Sequence, residues 1–197
     1  AVLHKKYTEN FAWMVNFLKD RDVEKLPNLV NSIPNELLEE PAIIGIRNHF
    51  LPRTQWKDGS VVFYCGQAWE EWSPKSVKSG IGGSEEAVIN VAKELVKLGH
   101  EVTVYNSCGE AEGVHDGVRY VNYYKFNKKD EFDVLVAWRC SLFKFGVKAK
   151  KKIIWLHDVP EYILNEYDEK AFTDKAIVLS EYHKSLLSKK FPEEKIF

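Results

Sequence analysis

Between Ser60 and Ser180 the apolar residues fall into short runs of strand length. These alternate with segments whose apolar positions recur every three or four residues. The run SVVFYC, Ser60–Cys65, reads as a buried strand followed by a long loop to Gly83. In the next segment, SEEAVINVAKELVKL, the residues Ala87, Val88, Val91, Ala92, Leu95 and Leu98 form a broad stripe on one helical face. Gly99 stands where a helix wants a C′ residue, and HEVTVY is the next strand. HDGVRYV predicts a turn at Asp116-Gly117 entering a short third strand. FDVLVAW, KIIWLHD and KAIVLS predict three more, and EYHKSLLSKK predicts a helix with Ser180 as its N-cap. Strands alternating with helices imply a mostly parallel sheet covered on both faces. The expected fold class is α/β, a Rossmann-like sheet with helices on both faces, spanning residues 58–197.

The first 57 residues have a different pattern. NFAWMVNFLKD places Phe11, Val15 and Leu18 on one helical face with Met14 beside it, and DVEKLPNLVNSIPNELLEEP offers short helical pieces interrupted by Pro27, Pro34 and Pro41. IIGIRNHFLPRTQW reads as a short extended piece followed by a basic-aromatic loop. Residues 1–57 are therefore expected to be a helical appendage to the main domain, and no internal repeat or low-complexity tract is visible.

Composition narrows the classes. The 197 residues are 45% hydrophobic with a formal charge of −1, enough to bury a core and too balanced for a general nucleic-acid binder. Cys65, Cys108 and Cys140 are an odd number, widely spaced and without a CxxC pair, which predicts buried thiols in a reducing compartment rather than a disulfide framework or a zinc site. No apolar run approaches membrane-span length, no signal-peptide h-region opens the chain, and a cytoplasmic location is the expectation. The chain begins at Ala1 without Met and reads as a trimmed or excised segment. The basic run KAKKK, Lys148–Lys152, reads as a solvated stretch, with an anionic partner or membrane surface as the weaker alternative.

The glycines of SGIGGSEE carry the first candidate chemistry. In an open parallel sheet, ligands bind beyond the carboxyl ends of the strands where strand order reverses, and the Gly82-Gly83 turn opens a helix at such an end. A helix N-terminus offers unpaired N–H groups and partial positive charge, and glycine lets the backbone approach an anion closely. The spacing is not the dinucleotide fingerprint, since about fifteen residues separate Cys65 from Gly80 and Glu85 stands where a third glycine is wanted. No Gly-Lys-Ser/Thr of a Walker A loop occurs. Glu85 and Glu86 sit in the first helical turn, where they suit the dipole but compete with a phosphate; a carboxylate there also accepts hydrogen bonds from sugar hydroxyls.

The order of these pieces, from GIGGSEEAVINVAKELVKLGHEVTVY through DGVRY, FDVLVAWR, WLHD and KAIVLSEYHKSLL, resembles the N-terminal domain of family-four glycosyltransferases of the GT-B fold, over Val61–Phe197. The resemblance implies that the Gly-Gly-x-Glu loop, here Gly82, Gly83, Ser84 and Glu85, faces a cleft holding a nucleotide-sugar. It implies that His157 of WLHD lies close to the transferred sugar, and that a second, donor-binding domain completes the enzyme. No metal or separate cofactor is implied; the nucleotide-sugar is the substrate and a carbohydrate or other hydroxyl is the acceptor.

Other residues remain open between roles. Asp158 follows His157 at the strand end, where an isolated His-Asp pair also suits a local cap or a metal phosphohydrolase, though no further His/Asp cluster in the sequence supports a metal. Trp138 could stack on a sugar or base and Arg139 could pair with a phosphate, or the two could be an aromatic lid and a surface arginine. Trp69, Glu70, Glu71 and Trp72 place aromatics among carboxylates in the long loop, which suits an acceptor sugar or a loop packed by its own tryptophans. The expected function is transfer of a sugar from a nucleotide-sugar to an acceptor hydroxyl, this chain being the acceptor-side half. The alternative is a non-catalytic carbohydrate- or nucleotide-binding module of a multidomain protein. An oxidoreductase or methyltransferase is disfavoured by the displaced glycine pattern.

Overall fold

The computed structural model describes residues 2–34, 37–158, 172–189 and 191–197. The chain forms two units, one of residues 1–54 with 127–129, the other of residues 55–126 with 130–197.

The smaller unit contains helices α1 (Val2–Lys19), α2 (Leu26–Asn31) and α3 (Pro41–Phe50). Its core is Phe11 and Val15, one turn apart on α1, with Leu26 and Val30 of α2, Ile33, Leu37, Leu38, and Ile43 of α3. Helix α3 corrects the extended reading of IIGIRNHF: Pro41 lies in the first turn, where a missing N–H costs nothing, and its fixed φ suits a helix start. The extended path begins only at Leu51. Residues 127–129 complete this unit. Lys129 Nζ donates to the carbonyls of His49 at 2.8 Å and Leu51 at 2.6 Å, placing a cation on the C-terminal end of α3. Asn127 Nδ2 donates to Pro52 O at 3.0 Å.

The larger unit begins at Gln55 rather than at residue 58. Gln55 bridges to Glu131, the Trp56 N–H donates to Glu131 O at 2.9 Å, and the Trp56 ring lies 5.5 Å from that of Phe132. Its strands are β1 (Ser60–Tyr64), β2 (Glu101–Asn106), β3 (Gly113–His115), β4 (Val118–Asn122), β5 (Glu131–Trp138), β6 (Lys148–Trp155) and β7 (Lys175–Ile177). They form one sheet in the order β3-β4-β2-β1-β5-β6-β7, parallel throughout except for the β3–β4 hairpin. Numbered by themselves, the six parallel strands run 3-2-1-4-5-6, the order of the doubly wound dinucleotide-binding folds. The expected fold class therefore stands. The addition is β3, seen because Asp116 (φ 51°) and Gly117 (φ 80°) both adopt the left-handed conformation of a tight two-residue hairpin.

Helix α4 (Gly83–Lys97) covers one sheet face, burying Val88, Ile89 and Ala92 against Val61, Phe63 and Val104. Its apolar stripe is narrower than the pattern suggests, since Val91 is exposed and Leu98 is 75% exposed. On the other face, α5 (Glu181–Leu187) sets Leu187 against Ile154 and Ala176, while Val62, Leu135, Ala137 and Phe143 form the core under the middle strands. The KAKKK run is the first half of β6. Lys148 pairs with Glu131 at 3.2 Å, and Lys150 pairs with Asp58 and Asp133, so two of its charges are matched within the sheet.

Gly99 ends α4 with φ +92° in open space, so a side chain there meets no neighbour and only the backbone suffers. Gly99→Ala is expected to lose about 1–2 kcal/mol, read as a lower urea midpoint with an unchanged slope. An unchanged midpoint would mean that the turn relaxes at no cost.

Candidate functional site

Chain order reverses beside β1: β2 and β4 lie on one side of it and β5, β6 and β7 on the other. The groups that follow β1, β5 and β6 converge at this switch point. Gly82 is the N-cap of α4 with extended φ and ψ of −62° and 143°, and Gly83, Ser84 and Glu85 form the helix's first turn. Both glycines are exposed, and a Cβ on Gly83 would meet nothing within 4 Å. Gly82 is different. Its open side is occupied by the carboxylate of Glu85, which folds back over the turn and would collide with a Cβ there. In this conformation the acid of the helix's own first turn lies where a bound anion would approach Gly82.

Arg139 ties the strand ends together. It follows β5 with a left-handed φ of +54°, a conformation costing a non-glycine residue about 1–2 kcal/mol. The kink turns the chain so that the Arg139 N–H donates to Trp155 O at 3.0 Å, and the guanidinium lies 5.0 Å above the Trp138 ring. Its Nε donates to Asp158 Oδ2 at 2.6 Å, and Nη1 lies 3.6 Å from Glu85 Oε1. Glu85, Arg139 and Asp158, all half-buried, thus form one chain of alternating charge across three strand exits.

His157 sits inside this chain. Its ring centroid is 4.8 Å from that of Trp155 and 5.7 Å from that of Trp138. Its Nε2 is buried without a hydrogen-bond partner. A proton on Nε2 would be a buried N–H that nothing accepts, so the neutral ring is favoured with its proton on Nδ1, the nitrogen left to serve a ligand. Burial, joined by the nearby Arg139 charge, holds the His157 pKa below the usual 6.5, against the opposing pull of Asp158 and Glu85.

The tryptophans divide. Trp138 is 4% exposed and Trp72 is 1% exposed, with their rings 6.0 Å apart in the core. Neither offers a ring face to a ligand, which corrects their reading as stacking surfaces. Trp72 is the anchor of its loop: its N–H donates to Ser107 O at 2.9 Å and its carbonyl accepts from Asn106 Nδ2 at 2.7 Å. Trp69, by contrast, is fully exposed, and Glu70 and Glu71 beside it are exposed. Glu71 packs against Gly109 and lines an open cavity of about 360 Å³ with Trp72, Ser73, Ser76, Cys108, Glu110 and Ala111. That cavity borders the β2 end of the loop and is not lined by Gly82, Arg139 or His157.

Sequence reading missed His183. Ser180 caps α5, accepting the His183 N–H at 3.1 Å, and the imidazole is buried with its Nε2 lacking a partner. Burial lowers its pKa from 6.5 while Asp158 raises it. Only the Ser180-x-x-His183 spacing, which sets the histidine facing inward one turn before Leu187, could have signalled this. Cys65 and Cys108 supply no nucleophile: burial pushes the Cys65 thiol well up and Cys108 to about 12. Among the described residues no group of three or more His, Cys, Asp or Glu side chains is placed to hold a metal ion, and no helix is long and apolar enough to cross a membrane.

Both depressed histidines have the same consequence for stability. Below the ordinary imidazole value the unfolded chain binds protons that the folded chain refuses, so stability falls as pH drops through that range. Urea unfolding at about pH 7.5 and about pH 5.5 is expected to show the loss, and a His157→Gln/His183→Gln double variant a smaller one. Equal pH dependence in both proteins would place the effect elsewhere.

No family model, no curated protein and no solved structure matches the chain.

Proposed function

We propose that this chain contributes the acceptor-side half of a glycosyltransferase site, in which a sugar passes from a nucleotide-sugar to an acceptor hydroxyl. The observation that carries the reading is the convergence of the Gly83 turn, Arg139 and His157 at the switch point of a 3-2-1-4-5-6 parallel sheet. The chemistry needs a departing diphosphate stabilised while positive charge develops on the sugar. Open backbone amides at Gly83 and Ser84 supply the first, with Arg139 as counter-charge once a phosphate oxygen displaces Glu85. Neutral His157, donating through Nδ1, orients a sugar oxygen without adding positive charge next to the developing cation. Glu85, released from Arg139, accepts a sugar hydroxyl, and exposed Trp69 with Glu70 lies on the acceptor side.

One observation favours the second reading, a carbohydrate-binding module without catalysis. Arg139 is matched by two carboxylates, Glu85 and Asp158, so this cluster has no spare positive charge for a diphosphate and suits neutral hydroxyls.

The test is Gly83→Val. The position has no positive φ and no neighbour within 4 Å, so the fold tolerates the side chain while the amides become harder to approach. By calorimetric titration the variant is expected to bind nucleotide-sugars at least about tenfold more weakly than the wild type, the loss of one charge-assisted hydrogen bond. Binding of free sugars but of no nucleotide-sugar would select the second reading. Binding of neither would remove the site.

A further inference from the structure

The carboxylates around Arg139 are held unequally. Asp158 is bound tightly, its Oδ2 accepting Arg139 Nε at 2.6 Å. Glu85 is held loosely. Its Oε1 lies 3.6 Å from Arg139 Nη1, too far for a hydrogen bond, and its carboxylate accepts no hydrogen bond from a described residue. The side chain is nevertheless only 20% exposed. It lies folded over Gly82, with its Cδ 3.3 Å from where a Cβ on that residue would stand. Gly82 itself brings no side-chain cap to the first N–H groups of α4. Glu85 has thus left much of its water for a distant guanidinium N–H and the partial positive charge of a helix end. Those are the two groups that the proposed function gives to the diphosphate. Glu86, the next residue, is exposed instead.

We propose that Glu85 is a tethered competitor of the diphosphate: in the unliganded chain it takes the diphosphate's place over Gly82 and beside Arg139, and a ligand binds only by exchanging with it. The proposal rests on the reading that this turn receives a diphosphate. Asp158 keeps its bond to Arg139 during the exchange, since only the loosely held partner has to move. For a bare diphosphate, the group that transfer leaves behind, the exchange has no compensation. The displaced carboxylate stays within reach, like charge against like. Glu85 therefore keeps the bare diphosphate weakly bound, and its return to Gly82 helps to expel that product.

The probe is inorganic pyrophosphate, titrated calorimetrically into the wild type, Glu85→Gln, Glu85→Ala and Glu86→Gln at one low ionic strength. Both Glu85 variants are expected to bind at least about tenfold more tightly than the wild type, with the Gly83 and Ser84 amide signals moving in the nitrogen-15 spectrum. Glu86→Gln removes the same charge from the same turn, but from an exposed position that solvent screens, and is expected to gain less than about threefold. An equal gain in Glu86→Gln makes the effect one of net charge and overturns the proposal. So does unchanged or weaker binding in Glu85→Gln, or no binding to any of the four proteins. If Glu85→Gln does not fold, Glu85→Ala decides by the same criterion. The two readings fail separately. A wild type that binds nucleotide-sugar, with no pyrophosphate gain in either Glu85 variant, ends the competitor and keeps glycosyl transfer. A gain in both Glu85 variants, with no nucleotide-sugar bound, keeps the competitor and loses glycosyl transfer.

Discussion

Trp72→Ala is expected to destabilise the chain by about 3–5 kcal/mol, whereas Trp69→Ala leaves it within about 0.5 kcal/mol of the wild type. The two residues stand three apart in one loop, so the contrast separates packing from exposure. Trp72 is among the largest fully buried side chains, touching Trp138 across the core, and its removal leaves a cavity that the rigid strand ends around it cannot close. Trp69 touches solvent on every side. One term opposes the loss: the Trp72 Nε1–H is buried without a partner, and deleting it returns about 1–3 kcal/mol. Trp72→Phe, which keeps most ring contacts and drops that N–H, is accordingly expected to cost far less than alanine. Urea unfolding of the three variants decides it. A Trp72→Ala change below about 1 kcal/mol would mean the loop is held by its backbone bonds to Ser107 and Asn106 alone.

On the proposed glycosyl-transfer reading, His157→Ala is expected to lower turnover in sugar transfer by about 10²-fold, because the lost Nδ1–H no longer holds the sugar oxygen in the reacting geometry. The ring also packs on Trp138 and Trp155, so a moderate fall in stability accompanies the loss. His157→Asn, which retains a side-chain N–H near the Nδ1 position, is the companion variant and should restore part of the rate. Equal rates for wild type and alanine variant would return His157 to a packing role. If the alanine variant does not fold, the folded asparagine variant decides: a partly reduced rate assigns His157 to the chemistry, and a wild-type rate returns it to packing.

Much of the parallel sheet is legible because buried strands write themselves as short runs rich in apolar and β-branched residues, and SVVFYC, HEVTVY and FDVLVAW do so. Edge strand β3 does not: three residues, none of them buried, leave no run to see. Helix α3 hid behind Ile-Ile-Gly-Ile, whose β-branched residues carry strand propensity that burial of Ile43 in a helical core overrides. At the site, Gly82, Gly83, Glu85 and His157 could be named from position at strand ends. Their relations could not. That Glu85 lies over Gly82, or that Arg139 bridges it to Asp158, depends on the left-handed turn at Arg139, which no neighbouring glycine or proline announces. Trp72 and Trp138 misled for a simpler reason: composition cannot distinguish an aromatic facing a cleft from one facing the layer beneath it.

The excursion at Asn127–Lys129 has a consequence for the order in which the protein comes off the ribosome. The carbonyls at the end of α3 wait for Lys129, about eighty residues downstream, and β2 and β4 are made in between. The N-terminal helices are thus first out and not first finished. Until residue 129 emerges their last turn stays uncapped, and the closure entropy of that long loop falls on the step that joins them. A nascent chain arrested before residue 127 should expose these helices to proteolysis, and one arrested well beyond 129 should shield them.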